Sequence, residues 1–131
     1  MKFNNASKIY PLLFLVFSFF SCNKGNSGSN STDTLIPNIS NADWRNISDI
    51  QHDDLYNFFQ IDNPGTANST FTGHETIDGD QHTFSGSYQN SKITFTFNDG
   101  PKQGTTYTGK ISDNTTMTLT TPTGTITLRK Q

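Results

Sequence analysis

The stretch FTGHETIDGDQHTFSG, residues 71–86, decides the fold. Its centre is Asp78-Gly79, a strong hairpin signal because a type I′ turn needs a positive φ at both central residues. That turn predicts three facing pairs: Glu75 with His82, Gly73 with Phe84, and Phe71 with Gly86. Each aromatic ring then covers the bare backbone of a glycine on the neighbouring strand, while the glycines allow the sheet to bend sharply.

The same aromatic, hydroxyl, glycine order recurs at residues 71–73, 84–86 and 107–109. From Ser69 onward apolar and polar residues alternate, and turn signals recur about every ten residues, which is typical of antiparallel strands with one polar face. The registers set by the turns agree with those set by burial, which supports the assignment. Six strands are predicted, over residues 69–77, 80–89, 92–98, 105–112, 115–121 and 124–130.

Two further strands are predicted earlier, at Trp44 to Ser48 and Leu55 to Ile61. A helix is the competing interpretation of residues 48–62, because Ser48-x-x-Gln51 has the form of a capping box and Asn63-Pro64-Gly65 would end a helix. The strand assignment gives an all-β, eight-stranded antiparallel up-and-down meander barrel, which leaves no sheet edge unpaired. The helical one gives a six-stranded meander sheet with one N-terminal helix.

Alternate residues of each predicted strand face opposite sides of the sheet, and this alternation predicts which side chains fill the barrel. Threonine, serine and lysine dominate the outward positions, unlike the apolar band of a membrane barrel. A domain this small cannot leave several rings exposed around an empty pocket, so we expect a packed core with at most a shallow site at one mouth. The predicted inward rings are Phe59, Phe71, Phe84, Tyr88, Phe95, Phe97 and Tyr107.

Residues 1–21 have the pattern of a secretory signal peptide, with Lys2 and Lys8 before an apolar run from Ile9 to Phe20. The only cysteine of the chain, Cys22, follows directly after Ser21. A single cysteine can form no internal disulfide, so its position needs another reason. The segment resembles the signal of bacterial lipoproteins of Bacteroidetes type, which implies that Cys22 is lipidated and anchors the chain in a membrane.

Residues 22–42 are rich in Gly, Ser, Asn and Thr, which predicts a flexible, disordered linker after the lipidated cysteine. Asp33-Thr34-Leu35 is similar to an O-glycosylation acceptor of Bacteroidetes, which would place a sugar on Thr34. No acidic cluster follows Cys22, and this favours an outer-membrane lipoprotein of the cell envelope that faces the periplasm, with surface exposure left open.

The remaining residues, 43–131, are expected to form one domain. Their order of motifs resembles the lipocalin-like, or calycin, meander barrels of small bacterial lipoproteins. The resemblance rests on Trp44, Phe71-Thr72-Gly73, Gly86-Ser87-Tyr88, Ile93-Thr94-Phe95, Tyr107-Thr108-Gly109 and Arg129-Lys130.

The predicted domain carries ten acidic and six basic side chains, a net charge of about −4. It has no basic stripe for nucleic acid, and we expect a monomer without a cofactor. The meander brings an acidic group to the end away from the linker, where it could bind a metal ion or a cationic partner. The candidate rim residues are His52, Glu75, Asp78, Asp80, His82 and Asp99.

Three functions remain open at this point. The first is a cell-envelope lipoprotein that presents the barrel as a non-catalytic module for binding an unknown protein or small molecule. The second is a lipocalin-type carrier of a small apolar ligand. The third, a metal-dependent hydrolase at the rim, has the least support, because the sequence shows neither a nucleophile elbow nor zinc-ligand spacing.

Overall fold

The computed structural model describes residues 35–131, all of them in strands and loops. The predictions for the signal peptide, Cys22, Thr34 and linker residues 23–33 lie outside the described residues. Within the described range, no helix is long and apolar enough to span a membrane. The strands are β1 (Asp43–Asn46), β2 (Asp54–Phe59), β3 (Asn68–Ile77), β4 (Asp80–Gln89), β5 (Lys92–Phe97), β6 (Thr106–Asp113), β7 (Thr116–Thr121) and β8 (Gly124–Lys130).

Each strand pairs with the next one along the chain, and β8 pairs with β1, so the sheet closes into an up-and-down barrel. The predicted eight-stranded barrel is therefore confirmed. The alternative with an N-terminal helix is wrong, because residues 54–59 are extended and pair with β1 and β3. Alternate β2 side chains are buried, which a strand with a period of two provides.

The hairpin of β3 and β4 has the predicted turn and register. Asp78 and Gly79 have φ values of 49° and 96°, and Gly73 pairs with Phe84 and Phe71 with Gly86. A Cβ on Gly73 would lie 2.3 Å from the ring of Phe84, so the ring does cover this glycine. At Gly86 the closest side-chain atom to such a Cβ is that of Phe95, at 2.5 Å, on the other neighbouring strand.

Aromatic rings fill the barrel axis. The ring centroids of Phe84 and Phe95 are 4.5 Å apart, and Phe58 lies 5.4 Å from Phe84 and 6.0 Å from Phe95. None of the three is more than 1% exposed. Burial of each such ring stabilises the fold by about 2 kcal/mol. The interior is packed with side chains, as the sequence predicted.

Phe59 is a correction to the predicted core. It is 38% exposed, and its ring lies on the outside of the barrel, 5.5 Å from that of His74. The adjacent residue Phe58 takes the inward position, because neighbouring residues of a strand face opposite sides of the sheet. The pairing of Trp44 with Tyr56 places Tyr56, and with it Phe58, on the inward face of β2.

Residues 35–42 are a second correction, because the sequence placed them in the flexible linker. Ile39 is fully buried in the core, and its carbonyl oxygen accepts a hydrogen bond of 3.1 Å from the indole Nε1 of Trp44. Ser40 forms a bridge with Phe58. This segment covers the end of the barrel near the start of β1, here called the proximal mouth. Pro37 and Ile39 are buried there, although the surrounding composition is polar.

Candidate functional site

The opposite end of the barrel, here called the distal mouth, is surrounded by the loops of residues 47–53, 78–79, 98–105 and 122–123. A pocket of about 310 Å³ opens there. Its lining includes Asn46, Asp54 and Tyr56 from β1 and β2, Lys102 from the loop between β5 and β6, and Thr121, Thr123 and Thr125 around the last turn. The filled interior forms its base, so the pocket is a mouth site and does not continue along the barrel axis.

Glu75 is a fully buried carboxylate near this mouth. Its Oε1 accepts hydrogen bonds from the hydroxyl of Tyr56 and from Lys102 Nζ, the latter at 2.6 Å. Lys102 also lies over the rings of Phe97 and Tyr107, 5.5 and 5.7 Å from their centroids. The lysine is therefore held by charge and by aromatic faces at once.

Asp54 is the second buried carboxylate and is 4% exposed. Its Oδ2 accepts a hydrogen bond of 3.0 Å from Asn46 Nδ2. No described residue donates to its Oδ1 or to Oε2 of Glu75. Buried polar atoms without partners are rare in folded proteins and costly to keep. We call Asn46, Asp54, Tyr56, Glu75 and Lys102 the mouth cluster.

The surroundings shift the pKa values of this cluster. Burial raises the pKa of Asp54 to about 6; the hydrogen bond from Asn46 and the charge of Lys102 oppose this rise, whereas the charge of Glu75 adds to it. Burial lowers the pKa of Lys102, but its hydrogen bond and charge interaction with Glu75 outweigh that effect and raise it. Burial also raises the pKa of Tyr107 and, above its usual range, that of Tyr56.

The predicted rim residues do not assemble around one point. His52 Nδ1 lies 2.8 Å from Asp49 Oδ2 and its Nε2 lies 3.9 Å from Asp78. The hydrogen bond with Asp49 raises the pKa of His52. Asp80 is exposed at the start of β4. Across residues 35–131, no three or more His, Cys, Asp or Glu side chains are grouped so that they could hold a metal ion.

Glu75 and His82 are register partners, as predicted, but their side chains have different polar partners. The ring of His82 is 18% exposed, and its Nδ1 lies 3.8 Å from Asp99 Oδ1. Asp99 in turn accepts hydrogen bonds from the backbone N–H and the hydroxyl of Thr83. Glu75 instead takes part in the mouth cluster, on the inside of the barrel.

Sequence reasoning missed most of the mouth cluster. Of its five residues only Glu75 was among the candidate rim residues, and Asn46, Tyr56 and Lys102 were not singled out. The alternation of Trp44 with Asn46 and of Asp54, Tyr56 and Phe58 carries the signal, since residues two apart on a strand share a face. No comparable signal marks Lys102, because a loop has no such periodicity.

A larger groove of about 660 Å³ lies on the outer wall of β4 to β7. It is lined mainly by hydroxyl side chains and by the stems of Lys92 and Lys110. This is the threonine-rich wall expected from the sequence. The distal pocket is the stronger candidate of the two, because Asp54, a nearly fully buried carboxylate with an oxygen that no described residue donates to, lines its opening.

The fold and the site together define a small closed meander barrel with a packed interior and a charged pocket at one mouth. Comparison of the chain with protein-family models, with curated proteins and with solved structures gives no match.

Proposed function

We propose that this chain is a lipid-anchored protein of the bacterial cell envelope, and that its barrel is a non-catalytic binding module whose site is the distal pocket. One observation carries this proposal: the buried oxygens Asp54 Oδ1 and Glu75 Oε2 lack a donor in a cluster that reaches an open pocket of about 310 Å³. A ligand that supplies donors satisfies both atoms and gains the free energy that their desolvation costs.

A carrier of apolar ligands is less well supported. Such a carrier needs free volume along the barrel axis, whereas Phe58, Phe84 and Phe95 are in ring contact there. Eight-stranded barrels are just wide enough for their own side chains to fill them. Room for an apolar ligand would require several of these rings to leave the core.

A hydrolase is also less well supported. Asp54 and Glu75 are both buried on the inner face of the barrel, whereas glycoside hydrolases hold their two carboxyl groups on either side of a substrate that enters between them. Lys102 neutralises Glu75 directly. The pair is therefore arranged to attract a donor rather than to act from two sides of a scissile bond.

The anchor is proposed from the sequence of residues 1–22, with the barrel on the periplasmic side of the outer membrane. Its test is the Cys22→Ser variant expressed in a bacterium with its signal peptide intact. The wild-type chain should incorporate an alkyne-labelled fatty acid and sediment with membranes, whereas the variant should be unlabelled and leave the membrane fraction. Membrane association of an unlabelled wild-type chain would contradict the lipid anchor.

The binding site is tested by a thermal-shift screen of small polar molecules against three chains. The first is the wild type, the second is Thr123→Trp, which fills the mouth of the distal pocket, and the third is Thr94→Trp, which fills the outer-wall groove instead. Specific ligands raise the melting temperature by mass action. Hits that survive in Thr94→Trp but vanish in Thr123→Trp support the proposal, and hits with the opposite pattern refute it.

A further inference from the structure

The net charge of the mouth cluster limits what it can bind. With both carboxyl groups ionised, Asp54 and Glu75 contribute two negative charges and Lys102 one positive charge. The cluster is buried, so its uncompensated charge is costly. One additional positive charge makes it neutral, whereas a divalent cation would leave it positive beside the ammonium of Lys102.

The unpartnered atoms limit the chemistry further. Both Asp54 Oδ1 and Glu75 Oε2 are carboxylate oxygens, which only accept hydrogen bonds when ionised. Asp54 and Glu75 lie diagonally on the inner face, because Asp54 pairs with Ile77, two residues beyond Glu75. Asp54 lines the pocket and Glu75 is buried behind it, so a group that reaches both oxygens must bring two donors, as a primary ammonium group with three N–H bonds does.

The loops around the distal mouth favour a cation as well. They carry Asp49, Asp78 and Asp99 but a single lysine, Lys102, and a further carboxylate, Asp53, is already paired with Arg45. Such an opening attracts positively charged molecules and repels anions. The pocket volume of about 310 Å³ suits a small molecule.

We propose that the distal pocket binds a small organic molecule through its primary ammonium group, which donates to Asp54 Oδ1 and Glu75 Oε2. This inference rests on the proposed function and specifies its ligand class. The remainder of the ligand lies against Tyr107 and Ile126 and the hydroxyl groups of Thr121, Thr123 and Thr125, which line the same pocket.

Binding of this kind competes with a proton. Between Asp54 and Glu75 one proton supplies the positive charge and the hydrogen bond that the ammonium group would supply. Ligand and proton therefore exclude each other, and binding is strongest at a pH where Asp54 is ionised. The charged and titratable groups that act on Asp54 are Glu75 on β3, Lys102 on the loop between β5 and β6, Tyr56 on β2, Tyr107 on β6 and His52 on the loop between β1 and β2.

The test uses the full-length chain in detergent micelles and follows backbone amide shifts by NMR at pH 8. The probes are n-butylammonium, its neutral counterpart n-butanol, tetramethylammonium, which has the charge but no N–H donor, and Ca²⁺. We expect n-butylammonium alone to shift the amides of Asn46, Asp54 and Lys102. At pH 5 its affinity should fall about tenfold, because most of Asp54 is then protonated.

Two variants, each of which replaces one carboxylate by an amide, complete the test. Asp54→Asn should weaken n-butylammonium binding at least tenfold, whereas Asp53→Asn, an exposed loop carboxylate paired with Arg45, should leave it within twofold. Equal binding of n-butanol, tetramethylammonium or Ca²⁺ at the pocket overturns the inference, and so does the absence of any shift with n-butylammonium. If the screen still finds ligands whose binding Thr123→Trp abolishes, the proposed binding module stands although the ammonium inference has failed. The two proposals can therefore be refuted independently.

Discussion

Asp54 and Glu75 lie one diagonal step apart in the register on the inner face of β2 and β3, and burial together with the charge of Glu75 raises the pKa of Asp54. The pair is the least expected feature of a barrel whose other large inward side chains are mostly apolar. It ties the stability of the fold to pH and to the occupancy of the distal pocket.

Asp54 should make the barrel less stable as the pH rises. Its pKa in the folded chain is raised from 3.8 to about 6, so the folded state retains a proton that the unfolded state has lost between these values. The contribution is full below pH 4 and is lost as the pH rises through 6, by about 3 kcal/mol.

Asp54→Asn isolates this effect, because the amide keeps the acceptor for Asn46 and adds a donor for Glu75. The variant should match the wild type at pH 4 and exceed its free energy of unfolding by about 3 kcal/mol at pH 8. Urea denaturation at both pH values measures the difference. Asp53→Asn is the control and should stay within about 0.5 kcal/mol of the wild type at each pH.

Loss of Lys102 should expose the cost of the buried carboxylate. Lys102→Met keeps an apolar stem over Phe97 and Tyr107 but leaves Glu75 without a counter-charge. We expect the free energy of unfolding to fall by about 2 kcal/mol at pH 8. Adding Glu75→Gln should recover more than half of that loss, and a double-mutant cycle gives the coupling. Additive effects of the two substitutions would show that the ion pair is energetically idle.

Gly73 should tolerate no side chain. A Cβ there would lie 2.3 Å from the carbonyl oxygen of Asn57 and 2.3 Å from the ring of Phe84, so backbone and ring must both shift. Gly73→Ala should lower the free energy of unfolding by about 2 kcal/mol or more. Thr108→Ala, at an exposed outward position, is the control and should cost less than about 1 kcal/mol. Equal losses in the free energy of unfolding for the two variants would show that the close contact of Phe84 with Gly73 does not contribute to stability.

Ile39 should behave as a core residue although it lies outside the strands. It is fully buried, whereas Ile36 of the same segment is 52% exposed. Ile39→Ala should cost about 3 kcal/mol, and Ile36→Ala should stay within about 0.5 kcal/mol of the wild type. Thermal or urea unfolding of both variants decides whether residues 35–42 belong to the barrel domain or to the linker.

The strands from β3 onward could be predicted because turn chemistry and burial specify the same register. Asp78-Gly79 sets the pairing of Phe84 with Gly73, and the alternation of large apolar residues independently demands it. Where turn chemistry and the alternation of apolar residues do not both specify the register, the prediction was wrong. Phe58 and Phe59 are equally apolar, and only pairing with β1 and β3 decides which of them faces inward.

The site could be predicted only in part, because most of it is assembled by closure of the barrel. Glu75 was identified from its inward parity, but its partners Tyr56 and Lys102 lie 19 and 27 residues away in the chain. Ile39 was missed for a similar reason, since a single apolar residue in a polar segment shows no hydrophobic periodicity. Such contacts depend on tertiary structure, which local patterns do not encode.

The central claim is that the mouth cluster carries one negative charge that a proton or a ligand cation neutralises. Its most direct test is an NMR titration of the Asp54 carboxyl carbon in the wild type, with and without n-butylammonium, and in Glu75→Gln. We predict a pKa of about 6 for Asp54 in the free protein, and lower values when the amine is present or when the charge of Glu75 is removed. An Asp54 carboxyl that titrates near its ordinary pKa of 3.8 in all three samples would contradict the claim.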